Sequence, residues 1–298
     1  SGISGLTTAL LLSDEFEITI FEKNKYFGGH SNTVYVKDKN YDVPVDTGFI
    51  VYNENNYPNF LKLINYLNVD TFNSDMSFCF SNKEIDLEYK GSLFGLIANY
   101  QNLLKKDYFI MLKDIIRFYM FGISYKKCSK YNETLLAYLD RCKFSKSFID
   151  YHLIPMTSAI WSSNEIEIQK FPVNTMLNFY KNHNLLSFFN RPQWKTIKGG
   201  SIKYVEKIIS ILRENKKNKL YTNTEIRSIK KNNRYLILKD SKSVDYKFDY
   251  VVFANHTDEA ANILKDFDNK TSKTLKDFRY QKNVTFLHKD KKLMPNNK

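Results

Sequence analysis

The chain has 298 residues, 43% of them hydrophobic, and carries 45 Lys and Arg against 32 Asp and Glu, a formal net charge of +13. That length and composition describe a folded protein with one large core or two smaller ones. Cys79, Cys128 and Cys142 are too few and too scattered for a disulfide framework or for a metal site shared with histidine. No 18-residue uncharged apolar run and no secretory signal is legible, so the expected location is cytoplasmic, at most peripheral to a membrane. The lysines are spread along the whole chain without zinc-finger or glycine-arginine patterns, which argues against nucleic acid as a partner. Abundant Lys, Asn, Ile, Phe and Tyr match an A+T-biased coding sequence, with attraction to an anionic membrane as the second explanation for the charge.

The chain opens on "SGISGLTTALLLS". Ser1 to Gly5 reads either as the tail of a G-x-G-x-x-G turn or as ordinary small-residue punctuation before a helix. A helix is expected from about Ser4 to Ser13. "EITIFEK" then reads as a short buried strand that ends at Glu22, 17 residues after Gly5. Glycine turn, helix, strand and acid in this order favour the dinucleotide-binding reading. Glycines let the backbone approach a pyrophosphate, the helix start supplies N–H groups, and a carboxylate accepts from ribose hydroxyls. On that reading one more glycine and a hydrophobic strand belong ahead of Ser1.

"FEKNKYFGGHSNT" follows, with Gly28-Gly29 shortly after Glu22, and "VDTGF" spans Val45 to Phe49. This run resembles the flavin-dependent amine oxidase and phytoene desaturase superfamily. The resemblance implies FAD as cofactor, with Gly2, Ser4 and Gly5 at the pyrophosphate and Glu22 and Lys23 at the adenosine ribose. It places Gly28, Gly29, His30 and Ser31 along the pyrophosphate and ribityl chain, and Gly48 near the flavin. His30 and Asn24 stand where relatives carry arginine, which weakens any permanently charged phosphate contact there.

From about Tyr57 the texture becomes helical and aromatic: "YPNFLKLINYLNV", "SLFGLIANYQNLL", "YFIMLKDIIRFYMFGISY" and "NETLLAYLDRC", with strand expected near Met76 to Ser81. In the third of these, Leu112, Ile115, Ile116 and Tyr119 share helical spacing. An amphipathic helix packed on its own core is one reading; a helix on a lipid surface or lining an apolar tunnel is the other. "HLIPMTSAIWSS" reads as a buried turn with Trp161 as core filler, or as part of a substrate cavity, with His152 in a structural role.

An α/β texture returns with "WKTIKGGSIKYVEKIISIL". Ser201 is the expected N-cap, and Ile202, Val205, Ile208, Ile209 and Leu212 share one face. Strands follow around a polar turn, and "DYVVFANH" reads as a buried strand that ends near His256. His288 is likewise expected at a strand end. The superfamily resemblance puts a backbone contact to adenine near Ile226. "SAIWSS", "VDTGFIVYN", "FANHTDEA" and "LHKDKKLMP" carry a narrower resemblance, to predicted NAD/FAD-binding proteins associated with cyclopropane fatty-acid synthases. The family's further flavin segment would lie beyond Lys298, and the 298-residue chain is expected to hold FAD poorly.

Together these readings give an α/β protein: a Rossmann-like FAD-binding domain with an inserted, mostly helical α+β substrate domain. The expected boundaries are 1–56 and 193–298 for the FAD-binding domain and 57–192 for the insert. The implied function is an FAD-dependent oxidoreductase taking a hydride from a C–N or C–C bond, with a small-molecule or lipid substrate. The alternative is a non-catalytic or isomerase-like flavoprotein associated with a cyclopropane synthase-like methyltransferase. No catalytic acid-base pair and no metal site is legible.

Overall fold

The computed structural model describes residues 1–126, 132–187, 191–280 and 282–295, without the side chains of 121–126. Cys128 lies outside these residues; Cys79 and Cys142 are free thiols. The chain divides into two compact units. One comprises Ser1–Tyr52, Tyr57–Asn73 and Lys195–Lys282; the other comprises Asn53–Asn56, Ser74–Trp194 and Asn283–Lys298.

The first unit starts with the helix Ile3–Leu12, which buries Leu6, Ala9 and Leu10. The strand Thr19–Phe21 then pairs in parallel with Lys219–Tyr221. The helix Ile202–Glu214 buries Tyr204, Val205, Ile208, Ile209 and Leu212, as its apolar spacing requires. These two helices and the strand share one core with Tyr52, Leu63, Ile64 and Leu67. That membership moves the boundary expected at residue 57. Residues 57–73 have the helical texture of the insert, yet the helix Pro58–Tyr66 turns Leu63 and Ile64 into the first unit's core. Each such side chain contributes about 1.5–3 kcal/mol by leaving water.

Two further parts complete this unit. The strands Thr33–Asp38 and Tyr41–Asp46 form an antiparallel hairpin. Ile226–Asn232, Tyr235–Asp240 and Asp245–Phe248 form an antiparallel sheet. "DYVVFANH" is no strand: residues 249–255 pair with no neighbouring strand among the described residues, and Tyr250 and Val252 are exposed. Its β-branched composition favours extended backbone, but a strand also needs a partner for its N–H and C=O groups. His256 accordingly precedes the helix Thr257–Leu264 instead of ending a strand. His288 also lies outside any strand; its Nδ1 accepts from the Asp290 N–H at 3.2 Å.

The second unit is mostly helical around a core rich in aromatic rings. A hairpin of Cys79–Asn82 and Leu87–Lys90 supplies Leu87 and Tyr89 to that core. The longest helix, Lys106–Lys126, supplies Tyr108, Met111, Ile115, Phe118 and Tyr119. The segment from Asn283, expected with residues 193–282, belongs with this unit instead, and the Lys292 carbonyl accepts from Lys83 Nζ.

"HLIPMTSAIWSS" is helical, not a turn. A π-helical stretch, Ile149–Leu153, runs into the helix Ile154–Trp161. Pro155 lies just past the π-helical stretch in this continuous helix, where it offers no N–H to the preceding turn. Trp161 packs on Phe171 and Phe179 with ring centroids 5.2 and 4.6 Å away. The π-helical stretch carries His152, which is buried and bonded through Nδ1 to the Tyr89 hydroxyl at 3.0 Å.

Candidate functional site

The glycine turn and the Gly-Gly segment meet. Gly2 and Gly28 form an isolated parallel bridge, and the Gly28 N–H donates to the Ser1 carbonyl at 3.0 Å. Gly28 and Gly29 have φ of 122° and 58°, the left-handed region in which glycine is unstrained. A Cβ on Gly29 would stand 3.0 Å from the Gly2 Cα, whereas one on Gly2 would meet nothing within 4 Å. The segment therefore presses backbone on backbone on one side and leaves open space over Gly2. Gly2 caps the first helix without a side-chain hydrogen bond, so the first-turn N–H groups face that space uncapped. Ser4 is exposed in this first turn, and Gly5 abuts the Ala254 side chain.

Glu22 ends the strand beside this turn, 7% exposed. Its Oε1 accepts from the Asn24 N–H at 2.8 Å, and its Oε2 from the Ser1 hydroxyl at 2.6 Å. Burial raises the carboxyl, and the bonds from the Ser1 hydroxyl and the Asn24 N–H act against it. Glu22 is therefore ionised at neutral pH. Lys23 turns to Glu259 in an ion pair. Ile226 opens its strand at a register shift and packs in the small cluster that Phe21 joins.

The Ser31 hydroxyl is turned inward to the Tyr204 hydroxyl. His30 is exposed, and its ring stacks 5.9 Å from His256, which in turn lies 4.2 Å from Tyr280. The His30 carbonyl accepts from the Phe49 N–H at 3.0 Å, and a Cβ on Gly48 would stand 2.2 Å from that oxygen. No side chain fits at 48 while this corner persists.

Asp46, in the same "VDTGF" run, has a role no local signal announces. Its carboxylate accepts from the Ser201 N–H at 2.9 and 3.0 Å, from Ser201 Oγ at 2.8 Å and from Thr33 Oγ1 at 2.6 Å. Thr33 Oγ1 in turn accepts from the Ile202 N–H at 3.0 Å. Ser201 is thus the N-cap residue by position, but its side chain caps nothing. Thr33 and Asp46 do that work from the hairpin. Gly200 makes the approach feasible: its φ is 91°, and a Cβ there would lie 2.5 Å from Thr33 Cγ2.

The donor set fits a dinucleotide. Uncapped helix N–H groups beside an open glycine turn match a diphosphate, and a single buried, ionised carboxylate at the following strand end matches a ribose. Among the described residues no cluster of three or more His, Cys, Asp or Glu is arranged to hold a metal ion.

The model of the flavin-containing amine oxidoreductases matches residues 3–282. The chain belongs to this family. Its members are flavoenzymes, so FAD is the cofactor to which the glycine cradle and Glu22 correspond. Solved structures share the fold. An oxidoreductase from Methanosarcina mazei superposes with a TM-score of 0.61 at 16% identity, over 93% of this chain and 62% of that one. A protein from Pyrococcus furiosus gives 0.59 at 16% identity, over 94% and 64%. A putrescine oxidase with putrescine bound gives 0.59 at 12% identity, over 88% and 58%. The chain spans less than two thirds of the length of each. No curated protein matches the sequence significantly.

A test of the cradle follows from Gly29. Gly29→Val is expected to weaken FAD binding by roughly tenfold or more, because a β-branched residue at positive φ must shift the Gly2 backbone. Flavin fluorescence titration of both proteins checks this; equal affinities would show that the Gly-Gly segment does not shape the site.

Proposed function

We propose that this chain carries the FAD-binding part of an FAD-dependent oxidoreductase and that the second unit is its substrate domain. The observation that carries the reading is the meeting of Gly2 with Gly28 and Gly29 beside the buried Glu22 carboxylate. When bound, the flavin would accept a hydride from a substrate C–H, as the adjoining C–N or C–C bond becomes double and its N–H or C–H loses a proton. The protein's share is binding and orientation. The start of the Ile3–Leu12 helix holds the diphosphate through main-chain N–H groups, and Glu22 accepts from the ribose hydroxyls. Gly48, closed against the His30 carbonyl, keeps the chain close enough for the cofactor to lie along it.

An apolar substrate with an acyl chain is the favoured class. The second unit supports this with its aromatic core and with a cavity of about 340 Å³ in which Phe78, Met76 and Trp194 stand among polar residues, with Lys90 facing Asp75 at 3.7 Å and Arg191 as the further cation. Such a lining suits an apolar body with a polar or anionic head. His30 supports a second reading, a flavoprotein without its own oxidation chemistry beside a lipid-modifying methyltransferase. It offers the phosphates an imidazole where a guanidinium would be permanently charged.

The experiment is an absorbance spectrum of the protein supplied with FAD, before and after anaerobic addition of lipid extract or of amines. Bleaching by lipid is the expected result. Bleaching by amines alone would assign an amine substrate, and a bound flavin indifferent to both would favour the methyltransferase partner. Absence of a bound-flavin spectrum even at saturating FAD would overturn the cofactor reading for this chain.

A further inference from the structure

The Lys106–Lys126 helix is apolar on two sides. Its inward side builds the core, as described. Its outward side exposes Lys106, Phe109, Lys113, Ile116 and Met120, whose alternating three- and four-residue spacing aligns them in one stripe. A solvent-facing helix stripe is ordinarily charged or polar. Here three of the five positions are large apolar side chains, with Phe109 65% and Met120 68% exposed. The preceding short helices, Leu93–Ile97 and Tyr100–Leu103, carry further exposed apolar side chains. Phe94 is 80% exposed, Tyr100 71%, and Leu104, just after them, 83%.

The charges on this surface are mainly positive. Lys106 and Lys113 lie within the stripe, and Lys105 beside it turns to Asp86. Asp107 is the exposed acid of the helix. Asp114 is buried, accepting from the Ser145 N–H at 2.8 Å and facing Arg117 at 3.4 Å, so it does not neutralise the stripe.

We propose that this face seats the protein on an anionic lipid bilayer, with Phe94, Leu104 and Phe109 among the acyl chains and Lys106 and Lys113 at the headgroups. Large apolar side chains interleaved with lysines on one helical face are the makeup of an interfacial helix. The chain's net charge of +13 favours the same partner. A second copy of the chain fits less well, because a two-fold contact through the stripe would set its lysines against one another. No described helix is long and apolar enough to cross a membrane, so the mode is seating on the surface. The proposal does not rest on the flavin reading, since lipid binding is measured without turnover.

The test is flotation of the 298-residue chain with phosphatidylcholine vesicles, and with vesicles in which about a third of the lipid is phosphatidylglycerol. Binding to the anionic vesicles, weakened by salt, is expected. Leu104→Ser with Phe109→Ser should lower the partition by roughly tenfold or more while leaving the far-ultraviolet spectrum and thermal unfolding unchanged. Lys106→Glu with Lys113→Glu should remove the preference for anionic vesicles. Equal partition of all three proteins would overturn the proposal. So would absence of vesicle binding, whether the protein is monomeric or forms a dimer that the serine variant dissociates.

Discussion

Asp46→Ala is expected to lower the unfolding free energy by about 3–5 kcal/mol, because hydrogen bonds to a charged group contribute about 1.5–3 kcal/mol each. The carboxylate holds the Ser201 N–H, the Ser201 hydroxyl and the Thr33 hydroxyl together. Ser201 is fully buried, so its donors would find no water after the substitution. Asp46→Asn keeps one acceptor oxygen and should lose less. The effect should reach the candidate cofactor site through adjoining backbone. Thr47 donates to the Asn32 carbonyl and Phe49 to the His30 carbonyl, each at 3.0 Å. Loosening this corner should therefore weaken FAD binding as well. Urea unfolding and flavin titration of the three proteins check both consequences. An alanine variant within about 1 kcal/mol of the parent would mean that the helix start is held by other contacts.

The second large effect is a loss of stability in acid, centred on His152. Tyr89 has one hydroxyl proton and donates it to the Tyr151 carbonyl at 2.6 Å. Its oxygen must therefore accept from His152 Nδ1, which fixes the Nδ1–H tautomer and leaves the lone pair on Nε2. Among the described residues Nε2 is buried without a hydrogen-bond partner, in a setting where the Phe148 ring stacks 5.9 Å away and Phe78 lies edge-on at 6.2 Å. A proton there would have no acceptor. Burial, assisted by the Arg191 charge, brings the imidazole down to about 3.

The sign follows from comparison with the unfolded chain, where imidazole titrates near 6.5. Between these values the unfolded state binds a proton that the folded state refuses. His152 therefore contributes its full share of stability above about pH 6.5, and loses it progressively as the pH falls towards 3. Lowering the pH from 7.5 to 5 should remove about 2 kcal/mol through this residue alone. His152→Gln should flatten that part of the pH dependence, whatever it does to absolute stability. Parallel pH profiles for the two proteins would show that His152 takes its proton as readily folded as unfolded.

Local chain geometry made part of the site legible. The glycine turn, the first helix and the strand ending at Glu22 lie within 22 consecutive residues, and positive φ at Gly28 and Gly29 is a property of those residues themselves. The role of Asp46 was not legible, because its principal partner, Ser201, lies 155 residues away. "DYVVFANH" shows the opposite failure. Its composition satisfies a strand pattern, but pairing is a property of neighbours. Pro155 marked a turn on sequence grounds, yet it lies in a continuous helix directly after the π-helical stretch Ile149–Leu153. Leu63 and Ile64 sit in a helix that looks like its successors in sequence, and only packing reveals which core they join.

The parallel pairing of Thr19–Phe21 with Lys219–Tyr221 bears on the order of events at the ribosome. That ladder cannot close until Tyr221 has emerged, whereas residues 74–194 are complete well before. An ordered intervening unit would hold its own ends at fixed positions and relieve the emerging chain of most of the entropy of closing so wide a gap. During that interval the N–H and C=O groups that Thr19–Phe21 will share with Lys219–Tyr221 wait without that partner.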